Sequence, residues 1–200
     1  MRLGPYALEL PEGFQADGQL GEGDTAALAV TAGDGERRLL GYFHTGDPLP
    51  VTLALSEVQA PLVLDPSSKP VLAAAVEGHF KQLDLRFTLE RTRWVKTPAA
   101  RVEVWGSVSI EGKDRVLCVA FYPGRQRHAV AVASLPAARA TSLEPQIEAA
   151  LGSVRHDEPP EPLATRRTVI SVAVWGAAAI TFVLARLYRK RRAAREQSAA

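Results

Sequence analysis

Between Thr168 and Ala185 the chain reads TVISVAVWGAAAITFVLA, eighteen residues without a charge, bounded by Arg166 and Arg167 before it and by Arg186 after it. No other feature restricts the fold as much. A helix rises about 1.5 Å per residue, so this segment would span roughly 27 Å. The hydrocarbon core of a bilayer is about 30 Å thick. Leu187 and Tyr188 lengthen the stretch, and the aliphatic stem of Arg186 can snorkel outward. Tyr188 then falls at headgroup depth, where amphipathic aromatics are favoured. The expectation is one transmembrane helix over 168–187, followed by a basic tail over 188–200. A buried core helix is the competing reading. It is disfavoured because the segment is apolar on every face and because Arg189, Lys190, Arg191 and Arg192 crowd directly behind it. Trp175 lies mid-segment, where it suits packing on a partner helix. Together with Gly176 it hints at helix pairing, although GxxxG spacing is missing.

The formal net charge of +2 is a property of that tail, and the rest of the chain is slightly acidic. The basic balance therefore does not mark a nucleic-acid-binding surface on the preceding domain. Lys and Arg near the helix favour a cytoplasmic C-terminus, which would place the domain on the other side. The N-terminus argues the opposite way. Met1-Arg2-Leu3-Gly4-Pro5 runs straight into a strand pattern, with no apolar h-region of roughly 7–15 residues. The side of the membrane on which the domain lies stays open.

Residues 1–154 carry the pattern of one soluble α+β domain. A domain of this size buries roughly two-thirds of its unfolded surface and needs no staples. Cys118 is the only cysteine, so no internal disulfide exists. Tyr6–Leu10, Leu28–Thr31, Arg38–Thr45 and Val51–Val58 alternate as strands, and Pro11-Glu12-Gly13 signals a turn. A helix is predicted with Pro70 in its first turn and runs to about Leu83, with Ser67 or Ser68 as its cap and Leu72, Val76, Phe80 and Leu83 as its stripe. Leu85–Trp94, Ala100–Ile110, Arg115–Tyr122 and His128–Ser134 read as strands joined by short turns, which requires antiparallel pairing. A second helix is predicted from Ser142, with Pro145 in its first turn and Leu143, Ile147, Ala150, Leu151 and Val154 facing inward. Residues 155–167 form a Pro- and acid-rich linker of semi-extended character.

The chain offers little chemistry. His44, His79, His128 and His156 show no metal-ligand spacing. Cys118 shares a strand face with Val116 and Ala120 and reads as a small core residue. Gly21-Glu22-Gly23 and Gly33-Asp34-Gly35 lack the Lys and helix of a phosphate loop. The carboxylate pairs Glu57 with Asp65 and Glu103 with Glu111 read as solvated. Arg86–Arg93 reads as a half-exposed strand, and Trp94 and Trp105 as neighbours across two strands. No catalytic, cofactor or metal residue is expected.

The element order, with Leu10-Pro11-Glu12-Gly13-Phe14 ending the first strand and the late strands and helix over Ala100–Ser153, resembles the family that joins PsbP-like and DcrB-like domains. The resemblance covers about residues 5–154. It implies a curved antiparallel sheet with about two packed helices and a binding or assembly role without catalysis. Some DcrB-like members look like chaperones for membrane-inserting segments, and the added membrane helix departs from them. The expected function is a membrane-anchored, non-enzymatic module for a protein partner, with an apolar segment as one form of ligand. A structural subunit of a membrane complex and an enzyme with an unrecognised site are the alternatives. The expected partners are the bilayer and a protein, with no cofactor.

Overall fold

Period-two alternation over long runs makes the centre of the chain a sheet, and the computed structural model shows how it closes. It describes residues 1–16, 37–47, 49–97, 99–110 and 112–157. The strand expected at 28–31 and everything beyond Asp157 lie outside these residues. That includes the membrane-flank residues Arg166, Arg167, Arg186, Arg189, Lys190, Arg191 and Arg192, and the helix-packing residues Trp175 and Gly176. Among the described residues no helix is long and apolar enough to cross a membrane.

The strands are β1 (Arg2–Leu3), β2 (Tyr6–Ala7), β3 (Phe14–Ala16), β4 (Arg37–Thr45), β5 (Thr52–Val58), β6 (Phe87–Val95), β7 (Arg101–Ile110), β8 (Lys113–Tyr122), β9 (His128–Pro136) and β10 (Arg155–His156). The helices are α1 (Lys69–Gln82) and α2 (Ala140–Ser153). A seven-stranded antiparallel sheet runs in the order β3-β4-β5-β9-β8-β7-β6. The observed class is α+β, as expected. A small sheet, β1-β2-β10, joins the two ends of the domain through Arg155↔Ala7 and His156↔Tyr6. The expected strand Tyr6–Leu10 thus shrinks to two residues that pair with the chain's later end, and the fold continues past residue 154 to Asp157. The Leu10–Phe14 phrase is a turn, in which Phe14 N–H donates to Pro11 O at 3.4 Å and Gly13 takes φ 87°. A positive φ is the conformation that glycine alone adopts freely.

Both faces of the sheet are covered. On one, Val102, Val104, Leu117, Val119, Phe121, Val130 and Val132 pack under Leu72, Ala73, Val76 and Phe80 of α1. On the other, Trp105, Cys118, Ala120, Ala129, Ala131 and Ala133 pack under Ile147, Ala150 and Leu151 of α2. Under α2 the central strands β8 and β9 present mainly small residues, Cys118, Ala120, Ala129, Ala131 and Ala133, with Trp105 of β7 beside them. A sheet covered on both sides buries both parities of its central strands, and β5 and β9 are buried along their whole length.

Local details depart from the expectations. Asp65 caps the turn that leads into α1. Its carboxylate accepts from Ser67 N at 2.7 Å, and Ser68 Oγ accepts from Asp65 N at 3.1 Å. The cap is Asp65 because the first turn is 3-10 and starts at Pro66, three residues before α1 itself. Leu83 is left 39% exposed, because α1 ends at Gln82. Helix α2 begins at Ala140, two residues early, so Pro145 sits inside it and removes one backbone hydrogen bond.

Gly106 on β7 marks a close approach. An added Cβ would lie 2.3 Å from Phe87 Cζ and 2.5 Å from Thr88 O, a backbone atom. The Phe87 ring fills that space because it stacks on Phe80 at 5.1 Å. Gly106→Ala is expected to cost about 1–3 kcal/mol, the usual range for overpacking. Urea unfolding of the variant checks this, and an unchanged midpoint would refute the packing account.

His128 is fully buried, and its Nδ1 lies 2.7 Å from Ala60 O. A backbone carbonyl only accepts, so Nδ1 carries the proton and Nε2 the lone pair. Nε2 has no partner among the described residues. Burial pulls the ring below its ordinary 6.5, and the bond to Ala60 offsets part of that. The unfolded chain therefore takes up this proton first as pH falls. Stability should drop below pH 6.5 with a limiting slope of about 1.4 kcal/mol per pH unit. His128→Gln should flatten that part of the stability curve. An identical acid slope in the variant would show that other groups cause it.

Candidate binding groove

The signal for a site lies on β6, β7 and α2. Residues on one strand face recur at every second position, so Arg101, Glu103 and Trp105 share a face of β7. Arg93 stands opposite Glu103 in the β6–β7 register, and Arg91 opposite Trp105. On α2, Glu144 and Glu148 are one turn apart and lie above them.

Glu103 is fully buried at the centre. Its carboxylate accepts from Arg101 Nε at 2.7 Å, Arg93 Nε at 2.8 Å and Trp105 Nε1 at 3.0 Å. Burial alone would push this carboxyl up. Donation from Trp105, Arg93 and Arg101 outweighs burial and holds it below 4.5. Arg93 also reaches Glu148 at 2.5 Å, while Arg91 pairs with Glu144 and lies 4.5 Å over the Trp105 ring. Arg91 and Arg93 of the Arg86–Arg93 run are thus turned onto carboxylates of the same domain.

Beside this network lies an open groove of about 770 Å³, walled by residues 93–97 of β6 and its turn, by Arg101, and by the second half of α2. Its charged lining is Glu9, Arg93, Lys96, Arg101, Glu148 and Arg155. The groove wall is fixed from beneath. Tyr122 Oη donates to Leu151 O at 2.9 Å, and burial pushes its phenol well above the ordinary value. Arg155 closes the helix end by donating from Nη1 to Gly152 O at 2.6 Å and Val154 O at 3.1 Å.

The lining supplies cationic donors for an anion. Cys118 lies away from it under α2, fully buried, and burial raises its thiol well above the usual range. Among the described residues no three His, Cys, Asp or Glu side chains gather as metal ligands would.

Three expectations from the sequence are corrected here. Glu103 is ion-paired in the core, not solvated, because Arg101 two residues away and Arg93 across the ladder share its face. Glu57 is also buried, with Gln59 Nε2 at 3.1 Å and Arg127 at 3.4 Å. Trp94 and Trp105 lie on opposite faces. Trp94 pairs with Val102, three residues from Trp105, and an odd offset reverses the face. The alternation Arg-x-Glu-x-Trp opposite Arg-x-Arg was the readable signal for the network. The sequence held no signal for the groove, which depends on where α2 lands.

No family model matches this sequence, and no curated protein is significantly similar to it. Solved structures are similar in fold. The cyanobacterial PsbP protein CyanoP from Synechocystis sp. PCC 6803 aligns with a TM-score of 0.50 at 12% identity, over 76% of this chain and 86% of that one. LpqN of Mycobacterium tuberculosis, described as involved in cell envelope biogenesis, aligns at 0.45 and 15% over 74% and 81%. PA94 of Pseudomonas aeruginosa, a protein of unknown function, aligns at 0.43 and 17% over 80% and 99%. The fold is PsbP-like: one antiparallel sheet with helices packed on it. At such identities the likeness is one of fold alone.

Proposed function

We propose that this protein is a membrane-tethered, non-enzymatic binding module whose ligand surface is the groove between β6 and α2. The groove carries the reading, because it is an opening of about 770 Å³ among the described residues where several cationic side chains converge. Buried charge elsewhere, such as Glu57, is committed to structural partners. In this reading the segment 168–187 crosses the bilayer between Arg166–Arg167 and the Arg186–Arg192 cluster, and Trp175 and Gly176 give it a packing face. The Pro-rich linker holds the domain off the surface. The partner is a protein, and the charged lining favours a polar segment of it over an apolar one.

A photo-crosslinker placed at Thr97 in full-length protein in native membranes tests the reading. A discrete protein adduct is expected from Thr97 and none from a probe at Val71, which is 70% exposed on α1. Equal adducts at both positions, or release of the protein by alkaline extraction, would reject it. Protease treatment of the same intact membranes reports which side the domain faces.

A further inference from the structure

Strand β6 is the last strand of the sheet, and no described strand pairs with its outer side. Such an edge presents a row of unpaired N–H and C=O groups. Its two halves differ. The first half is interrupted by a bulge between Leu89 and Arg91, a device that blunts edges against stray pairing. From Arg91 to Val95 the ladder to β7 is regular. This regular half runs into the groove, whose wall includes the five consecutive residues 93–97. Consecutive residues of a strand point to opposite faces. A groove lined by Arg93, Trp94 and Val95 in succession therefore lies at the outer edge of the strand's last residues, and Lys96 and Thr97 continue its wall into the turn.

The charges beside that edge are unevenly spent. Arg93 and Arg101 are held by Glu103, and Arg93 also by Glu148. Lys96 is exposed and has no ion pair among the described residues. Arg155 touches only carbonyl oxygens, which leave its charge uncancelled. Of the two lining carboxylates Glu148 is taken by Arg93, which leaves Glu9 to oppose these two. An occupant that satisfies the edge must be extended, and one that satisfies Lys96 and Arg155 must be acidic.

We infer that the β6 edge between Arg91 and Val95 takes an extended acidic segment of a protein partner as an added strand, with Lys96 and Arg155 reading its carboxylates. This rests on the groove being the ligand surface and names what it binds. Main-chain hydrogen bonds would supply affinity and the two cations specificity, the usual division in strand addition.

The test uses full-length protein in phosphatidylcholine nanodiscs and a fluorescent peptide of alternating Glu and Val. Binding is expected, with the Lys-Val counterpart at least tenfold weaker. Lys96→Glu should weaken the Glu-Val peptide about tenfold. A Glu-Val peptide N-methylated at alternate residues keeps its charge but cannot form a ladder, and it should lose binding by tenfold or more. Equal binding of the methylated peptide would overturn strand addition. Equal binding of the Lys-Val peptide, or no binding of either, would overturn the acidic segment. Replacement of peptide binding by attachment to phosphatidylglycerol vesicles would reassign the cations to lipid headgroups. The crosslinking experiment at Thr97 is independent of the peptide. An adduct there with no peptide binding would leave the groove reading standing and reject this inference alone.

Discussion

Glu103→Ala is expected to lower stability by about 3–5 kcal/mol, the range for breaking a buried ion pair from one side. Arg101 is the reason. It is 3% exposed, and without Glu103 its Nε loses its carboxylate partner, leaving the Nη1 bond to Ala99 O. Trp105 Nε1 loses its acceptor as well, whereas Arg93 can turn to water and to Glu148. Urea unfolding at neutral pH measures the effect as a lower midpoint at unchanged slope. Glu103→Gln should cost less, because an amide oxygen still accepts from Trp105. Leucine at both 101 and 103 should recover much of the loss, since apolar replacement of a whole buried pair is often neutral. If Glu103→Ala unfolds at the wild-type midpoint, the network is ornamental. The pH dependence has a definite sign. The folded carboxyl titrates below its unfolded value of 4.5, so its stabilisation is complete above that pH and is lost as pH falls through the folded value.

Phe80→Ala is the second large effect, also about 3–5 kcal/mol. Phe80 is fully buried and stacks on Phe87 with an interplanar angle of 12°. Its carbonyl receives Leu85 N–H at 2.9 Å, which turns the chain from α1 into β6. Truncation leaves a cavity under α1 that the sheet cannot fill, because Phe87 is already confined by Gly106. Calorimetry should show a lower Tm with folding still cooperative. Val71→Ala on the exposed side of α1 is the control and should change little, since surface substitutions usually lie within about 0.5 kcal/mol. A near-neutral Phe80→Ala would mean that α1 contributes little to holding the sheet.

Much of this fold was readable because its signals are local. Alternation over Arg101–Tyr122 and short turns dictated antiparallel neighbours, and the spacing of Leu72, Val76 and Phe80 dictated the buried face of α1. The charged alternation of Arg86–Arg93 was also readable, as a half-exposed strand. What misled was polarity read without its partner. Glu103 looks like a surface acid in one dimension and becomes a core group only when Arg93 stands across the ladder. Trp94 and Trp105 look adjacent until the register assigns them to opposite faces.

The sequence by itself determined the α+β class, the central strands, both helices and the parity of Cys118, because each follows from a repeat of two or 3.6 residues within one element. It also determined an uncharged segment at 168–185 of bilayer length. The tertiary structure alone decided that both sheet faces are covered, that β6 ends the sheet, and that Glu103 lies between three donors beside a groove. Those features join residues far apart in the chain, such as Arg93 with Glu148 and Arg91 with Glu144. Contacts of that kind are set by how helices and strands pack together, and no local period encodes them.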